Sequence, residues 1–176
     1  RRKIQSEVRG KRFLNLFSYT GVASVQAALG GARYTTSVDL SNTYLNGIKE
    51  NLASNGLAES QNRAIRADVM AWLESEESVY DIILLDPPTF SNSKATEQHF
   101  DVQRDHPALV TRAMARLEPE GVLYFSNNHR KFALDDELAT RFAVEEITQS
   151  TIDPDFQRSA GIHRCWAIRH TPPTVQ

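Results

Sequence analysis

Short apolar runs alternate along the chain with segments in which apolar residues recur at helical spacing. This alternation predicts β-α-β units built around a parallel sheet. The predicted strands cover 13–17, 34–38, 64–67, 80–85, 122–125, 144–148 and 165–169. The predicted helices cover 22–29, 42–54, 70–73, 102–117 and 135–141, with a turn at 119–121 and a polar loop at 150–163.

The fourth predicted strand, YDIILL at 80–85, is apolar without interruption. Such a strand is typical of the centre of a parallel sheet that is covered on both faces. No helix is predicted between the last two strands, so we expect them to pair antiparallel. The pattern therefore predicts an α/β fold of the Rossmann-like class I methyltransferase type, with a seven-stranded, mostly parallel sheet and an antiparallel last strand.

The chain has 176 residues, of which 40% are hydrophobic. This size predicts one domain over 1–176, with a lead-in at 1–11 and a tail at 171–176. Because the chain begins at Arg1 without a methionine, we expect a fragment of a longer protein.

Charge and cysteine content limit the possible partners. The formal net charge of -2 gives no overall basic field, so nucleic-acid contact would need a local patch. Cys165 is the single cysteine, which excludes an internal disulfide, and no zinc-ligand spacing is present. We expect no metal, no membrane association and a reducing, cytosolic location.

The first predicted strand is followed by Ser18-Tyr19-Thr20-Gly21. A dinucleotide fingerprint has three glycines, the second of which lets the backbone approach a pyrophosphate, whereas this turn has one. A nucleoside cofactor without phosphate, S-adenosylmethionine, fits better. We predict cofactor contacts here, and the alternative is an ordinary strand-to-helix turn. The predicted contacts are Phe17, Tyr19, Thr20 and Gly21.

Two further acids end predicted strands. Asp39 follows the turn at about the spacing of 20 residues at which nucleotide-binding folds place an acid on the ribose. Asp68 ends the next strand and is predicted to accept from the adenine amino group, with Val69 packing on the ring. Leu40 is included as a cofactor contact beside Asp39. For both acids, the alternative is a helix N-cap.

The fourth strand runs into Asp86-Pro87-Pro88-Thr89-Phe90. Each proline fixes its own φ and keeps the preceding residue extended, so the segment is stiff. A fixed carboxylate and an aromatic face on which a base can stack are suited to hold a flat base. We predict that Asp86, Pro87, Pro88 and Phe90 form the catalytic site and that Asp86 also faces the cofactor. The alternative is a simple strand end.

The predicted reaction is an in-line displacement at a sulfonium methyl, in which alignment and exclusion of water matter more than a strong acid or base. A ring nitrogen such as N7 of guanine has no proton to lose. Methylation at cytosine C5 would instead need a nucleophilic cysteine. Cys165 lies within an apolar strand beside Trp166, so we expect it to be structural.

Polar segments after the fourth and fifth strands are predicted to lie at the catalytic edge. Lys94, Arg104, Arg130 and Lys131 are expected to form a phosphate-binding rim. Asn127 and Asn128 are expected to read a base edge. Solvated loop faces are the alternative for each, and His106 and His163 are given no role.

Several long motifs, in order, resemble one family. They are FLNLFSYTGVASVQAALGGA, VDLSNTYL, NLASNGL, LLDPPTFSNSK, FDVQRDH, FSNNHRKF and IHRCW. The chain resembles the C-terminal half of the bacterial bifunctional 23S rRNA guanine methyltransferases over nearly its whole length. The resemblance implies methylation of guanine N7 in 23S rRNA, with Asp39 and Asp68 on the cofactor, Asp86 to Phe90 around the base, and a missing N-terminal half that methylates N2 of another guanine.

Other functions remain open at this point. A 23S rRNA cytosine-C5 enzyme of related fold or a nucleobase amine methyltransferase, such as one for guanine N2, would share the fold and the DPP motif. An NAD-linked oxidoreductase would need the missing glycines. A non-catalytic RNA-binding module would not bind S-adenosylmethionine.

Overall fold

Residues 2–91, 100–151 and 163–172 are described by the computed structural model. The main strands are β1 (Arg12–Leu16), β2 (Tyr34–Asp39), β3 (Asn62–Arg66), β4 (Tyr80–Leu85), β7 (Leu117–Asn127), β8 (Phe142–Glu146) and β9 (Arg164–His170). Two short strands, β5 (Phe90–Ser91) and β6 (Phe100–Asp101), form a separate ribbon. The helices are α1 (Arg2–Glu7), α2 (Val22–Leu29), α3 (Asn42–Ser54), α4 (Val69–Ser75), α5 (Val102–Met114), α6 (Asp136–Arg141) and α7 (Thr148–Thr151).

The main sheet has the strand order β3-β2-β1-β4-β7-β9-β8. The pairs from β3 through β7 are parallel, and β9 pairs antiparallel with both β7 and β8. The predicted Rossmann-like α/β fold is confirmed, and β4 lies in the middle as expected. Strand order reverses between β1 and β4, which is where open α/β sheets bind ligands.

Alternate residues of the central strands enter two different cores. Leu14 and Ile83 face the side covered by α4 and α5, whereas Phe13 and Ile82 face the side covered by α1 and α2. All four side chains are fully buried. Because both faces are covered, these strands are apolar at successive positions, which is the pattern seen in the sequence.

Several predicted boundaries are wrong. Helix α5 ends at Met114, and Leu117 already pairs with Tyr80 in the sheet. The predicted turn at 119–121 therefore lies inside β7, at an irregularity where the register shifts before Val122. Strand β8 spans Phe142–Glu146, two residues earlier than predicted, because the chain becomes extended immediately after α6.

The ribbon of β5 and β6 was not predicted. Phe90 pairs with Asp101 and Ser91 pairs with Phe100. Two-residue strands are too short to produce a periodic pattern, so the sequence shows only a polar loop there. The ribbon links the Asp86 to Phe90 segment to the start of α5.

Residues 2–7, within the predicted lead-in, form α1, which contributes to the core. Ile4 is 4% exposed and Val8 is fully buried. The contact with α2 is close: a Cβ on Gly30 would lie 2.5 Å from the Gln5 carbonyl oxygen. The Tyr124 hydroxyl donates a hydrogen bond to Glu7, which fastens α1 to the sheet.

We expect Ile4→Ala to lower the free energy of unfolding by about 2–5 kcal/mol, because it removes a buried side chain and leaves a cavity. Denaturant unfolding with circular dichroism measures this loss. Arg9→Ala, which changes an exposed residue just after α1, is the control and should have little effect. Equal stability of the two variants would show that α1 adds nothing to the core.

Candidate active site at the carboxyl edge of the sheet

The turn after β1 has an unusual backbone. Phe17 and Tyr19 have φ of 57° and 49°, although neither is glycine, and Gly21 has φ of 72°. Left-handed residues with a Cβ cost roughly 1–2 kcal/mol each and recur at ligand sites. The turn therefore has a backbone conformation that the conformational preferences of its own residues would not favour.

The Asp39 carboxylate helps to hold this turn. Its Oδ2 accepts from the Tyr19 backbone N–H at 3.0 Å, and its Oδ1 accepts from the Ser41 N–H at 2.9 Å. Asp39 is 8% exposed. The N-cap of α3 is Ser41, whose hydroxyl accepts from the Tyr44 N–H, so the N-cap alternative for Asp39 is wrong.

A buried polar chain fixes α2 to the strands beneath it. The Asn15 amide donates to the Ser24 hydroxyl at 3.0 Å, and the Ser24 and Ser37 hydroxyls lie 2.6 Å apart. These residues connect β1, α2 and β2. Because buried polar groups are costly without partners, this chain fixes where α2 starts relative to both strands.

Gly21 is the residue at which α2 and α3 approach each other. A Cβ at this position would lie 2.6 Å from Ile48 Cγ1, and the left-handed φ also favours glycine. On the neighbouring turn of α3, the Asn51 amide donates to the Thr20 carbonyl oxygen at 2.9 Å. The single glycine of this turn therefore serves packing as well as backbone conformation.

Asp68 is the N-cap of α4, where its Oδ1 accepts from the Ala71 N–H at 3.0 Å. This N-cap role is the alternative considered for Asp68. The carboxylate lies just after the end of β3, on the same sheet edge as Asp39. Val69 is 3% exposed and belongs to the core beneath. Arg66 Nε donates to the Leu40 carbonyl oxygen, which ties the loops after β2 and β3 together.

Asp86 follows β4 and lies against β7. Its Oδ1 accepts from the Ser126 hydroxyl at 2.8 Å. Burial, and then the Asp86 charge, raise the pKa of the Tyr19 phenol. Burial lowers the pKa of His163 while Asp86 opposes that shift. The negative charge of Asp86 thus lies near the turn after β1 on one side and near His163 on the other.

Phe90 presents a free aromatic face. It is 63% exposed, while Pro87 of the same segment is buried. The ring meets His129 edge to face, with centroids 6.4 Å apart. An exposed ring at the end of a proline-stiffened segment is placed to stack on a flat molecule.

The strand end after Ser126 contains two unpartnered polar atoms. Asn127 is 1% exposed, and its Oδ1 accepts from the His129 N–H at 3.1 Å. Its Nδ2 and the His129 Nδ1 are buried, and neither has a hydrogen-bond partner within the described part of the chain. Such groups are uncommon in folded proteins and require an explanation.

The predicted cationic rim is only partly covered by the described residues. Asn128, Arg130 and Lys131 are exposed on the loop after β7. Arg104, in the first turn of α5, pairs through Nε and a terminal nitrogen with Asp105. Lys94 lies outside the described residues.

Ser126 and His129 lie at this edge although they were not singled out from the sequence. Both fall within the polar run after the fifth predicted strand, and that position was the signal available. His106 is instead a core residue: its Nδ1 donates to the Val102 carbonyl and its Nε2 accepts from the Asp135 N–H. Burial lowers its pKa.

Cys165 is 5% exposed, and burial, followed by the Asp86 charge, raises the pKa of its thiol to about 12. A nucleophilic cysteine needs a lowered thiol pKa. The thiol is therefore protonated at neutral pH, in agreement with a structural role.

Within residues 2–91, 100–151 and 163–172, no group of three or more His, Cys, Asp and Glu side chains is placed to hold a metal ion. None of the helices in those ranges is long and apolar enough to cross a membrane.

A family model described as Conserved hypothetical protein 95 matches residues 2–139. The chain belongs to this family. Over 96% of its length it is 62% identical to the ribosomal RNA large subunit methyltransferase K/L of Pseudomonas putida strain W619, and 63% identical to that of Pseudomonas fluorescens strain Pf0-1. It spans 23% and 22% of those two proteins. The predicted family resemblance is confirmed.

Solved structures agree with this family membership. The structure of SMU.776 complexed with SAH matches 94% of the chain with a TM-score of 0.75 and 26% identity, and 46% of SMU.776 is covered. A SAM-dependent methyltransferase from Agrobacterium tumefaciens matches 96% of the chain with a TM-score of 0.73 and 25% identity, and 58% of that protein is covered. These likenesses confirm the predicted methyltransferase class and its cofactor, S-adenosylmethionine.

Gly21→Ala should weaken cofactor binding and lower stability by about 1–3 kcal/mol beyond the cost of the left-handed backbone, because the new methyl group meets Ile48. Calorimetry with S-adenosylmethionine and thermal unfolding measure the two effects. Gly10→Ala is the matched control: Gly10 has the same φ of 72°, and no heavy atom lies within 4 Å of the position that a Cβ would take. If both variants lost the same stability and cofactor affinity, backbone strain alone would explain the effect and the contact with Ile48 would not contribute.

Proposed function

We propose that this chain transfers the methyl group of S-adenosylmethionine to N7 of a guanine in 23S rRNA. The observation that carries the proposal is the alignment, on one sheet edge, of a turn held by Asp39 with the Asp86 to Phe90 segment, in a chain 62% identical to a ribosomal RNA large subunit methyltransferase. The register brings the two halves together, because Leu16 at the end of β1 lies beside Leu85 at the end of β4.

The cofactor half consists of the ends of β1, β2 and β3. Asp39 is proposed to accept from the ribose hydroxyls, beside Leu40, while Asp68 and Val69 serve the adenine. The turn at Phe17 to Gly21 would hold the amino-acid tail through its backbone groups. Since S-adenosylmethionine has no phosphate, one glycine suffices where a dinucleotide site has three.

The acceptor half is the stiff segment from Asp86 to Phe90. The base would stack on the exposed Phe90 ring, and Pro87 and Pro88 would hold that ring in place. During transfer the positive charge of the sulfonium passes to the guanine ring. A fixed carboxylate at Asp86 stabilises that developing charge, and guanine N7 has no proton to remove. Ser126 orients the carboxylate through its hydroxyl.

The rRNA backbone would meet the loop after β7. Asn128, Arg130 and Lys131 are exposed there, and Arg104 and Lys94 are proposed to extend the rim. The net charge of -2 leaves little general attraction for RNA. The chain spans about a quarter of the curated relatives it matches, and we infer that a further part of the whole protein, such as an N-terminal half, supplies much of the RNA affinity.

Base analogues separate N7 from N2 as the acceptor. We expect the chain to methylate an RNA fragment in which inosine replaces guanine, because inosine keeps N7 and lacks only the exocyclic amine. A fragment with 7-deazaguanine should not react. Methyl transfer to each of the two fragments is measured with labelled cofactor and mass spectrometry of the product. The reverse result would establish the amine methyltransferase as the correct alternative.

Asp86→Asn should lower the rate of methyl transfer by about a hundredfold or more, because it removes the charge that stabilises the cationic product. Phe90→Ala should weaken acceptor binding by about 1–3 kcal/mol.

Asp39→Ala should mainly raise the dissociation constant for the cofactor. Steady-state kinetics and calorimetry distinguish these effects, and unchanged turnover in both acceptor variants contradicts the assignment.

Cys165→Ala should retain methyl transfer, because a protonated, buried thiol does not act as a nucleophile. The same kinetic assay measures it, with thermal unfolding as a check on the fold. Loss of transfer in a folded Cys165→Ala variant would favour the cytosine-C5 mechanism instead.

A further inference from the structure

The Asp86 to Phe90 segment lies beside the 126–129 segment, which comprises the end of β7 and the start of the loop after it, and two contacts join them. At one, the Ser126 hydroxyl donates to Asp86 at 2.8 Å. At the other, the Phe90 and His129 rings meet edge to face with centroids 6.4 Å apart. Asn127 lies between these contacts along the second segment. A base stacked on Phe90 would therefore have its polar edges beside the 126–129 segment.

The donor side of Asn127 can be assigned from its hydrogen bond. Its Oδ1 accepts from the His129 N–H at 3.1 Å, which leaves Nδ2 as the free end of the amide. Nδ2 and the His129 Nδ1 are buried and without a partner among the described residues. Two unpaired buried polar atoms on one short segment are costly to maintain, which is expected where a ligand completes them.

We propose that His129 is a specificity-determining residue for the acceptor base, and that its Nδ1–H, together with the Asn127 amide, recognises O6 of guanine. The inference rests on the proposed guanine N7 function. Guanine presents N7 and O6 as neighbouring acceptors on one edge, so a base with N7 at the cofactor methyl places O6 next to it. O6 requires a hydrogen-bond donor, which the Asn127 amide and the Nδ1–H tautomer of His129 supply.

The same donors exclude adenine. Adenine has an amino group where guanine has O6, so this amino group would face the hydrogen-bond donors of Asn127 and His129. Both protein atoms are shielded from water, and a buried polar group left unpaired by the wrong substrate discriminates strongly. Asp86, on the other segment, is an acceptor suited to N1–H of guanine, which adenine lacks. The groups therefore match guanine as a set.

Kinetics with base analogues test this contact directly. Three RNA fragments carry guanine, inosine or 2-aminopurine at the target position. Guanine and inosine have O6, whereas 2-aminopurine lacks it. We expect His129→Phe to lower kcat/KM about tenfold or more on guanine and inosine, and to leave the rate on 2-aminopurine at its wild-type value. His129→Asn, which places an amide near the Nδ1 position, should recover part of the loss. Equal losses on all three bases would overturn the inference.

A matched control exists at the opposite edge of the sheet. His170 meets Phe142 edge to face at 6.3 Å, much as His129 meets Phe90. His170→Phe should leave the preference among the three bases unchanged. If it shifts that preference as His129→Phe does, the effect reflects general disturbance of the fold and the inference fails.

A spectroscopic measurement needs no turnover. In the full chain saturated with S-adenosylhomocysteine, guanosine should shift the ¹⁵N resonance of His129 Nδ1, and 2-aminopurine riboside should not. No shift with guanosine overturns the inference. Methylation of 7-deazaguanine RNA by the wild-type chain would overturn the N7 function itself, whereas an N7 product with equal losses on the three bases overturns the role of His129 alone.

Discussion

A buried carboxylate holds the strained turn on which the candidate active site is built. Asp39 reaches from the end of β2 to the backbone of Tyr19, so the turn after β1 is fixed by its neighbouring strand as well as by its own sequence. The parallel register then places the end of β1 beside the end of β4. The position of Asp86 relative to the turn is therefore a property of the sheet, and rearrangement of the loops is not needed to assemble the site.

The proposed function asks the charges at this edge to bind two opposite ligands. A sulfonium cofactor is cationic and is favoured by acids at the ends of successive strands, whereas RNA is a polyanion that such acids repel. The acids lie at the strand ends and the exposed cations Arg130 and Lys131 lie on the loop after β7, so under the proposed function the two ligands would meet different segments. Because exposed charges are screened within about 8 Å in physiological salt, only short-range contacts would position the proposed RNA substrate.

Much of this architecture follows from the sequence because the central strands are covered on both faces and so carry continuous apolar runs. The boundaries of β4 are visible for that reason, and those of α2 and α3 are visible from the helical spacing of their apolar residues. The two-residue ribbon at Phe90 and Phe100 leaves no such pattern, and α1 is short and polar apart from its few buried positions. Leu117 fits a helix by its spacing, yet its pairing with Tyr80 decides the outcome.

The candidate site shows the same division. Acids at strand ends can be found by spacing, since the topology forces those ends onto one edge. The role proposed for His129 cannot be found in this way, because it rests on an unpaired nitrogen and a ring contact that exist only after the loop has folded. Asp68 takes the N-cap role considered for it, whereas its role toward the adenine stays a prediction.

The place of β9 has a consequence for the order in which the molecule forms. Although β9 follows β8 along the chain, it is inserted between β7 and β8 and pairs with both. Strand β8 leaves the ribosome before its neighbour in the sheet exists, and the free edge of β7 stays open for as long. During synthesis, the cofactor half can therefore fold early, while the acceptor side waits for β9. Until β9 is made, the unpaired edges of β7 and β8 are exposed to misassociation.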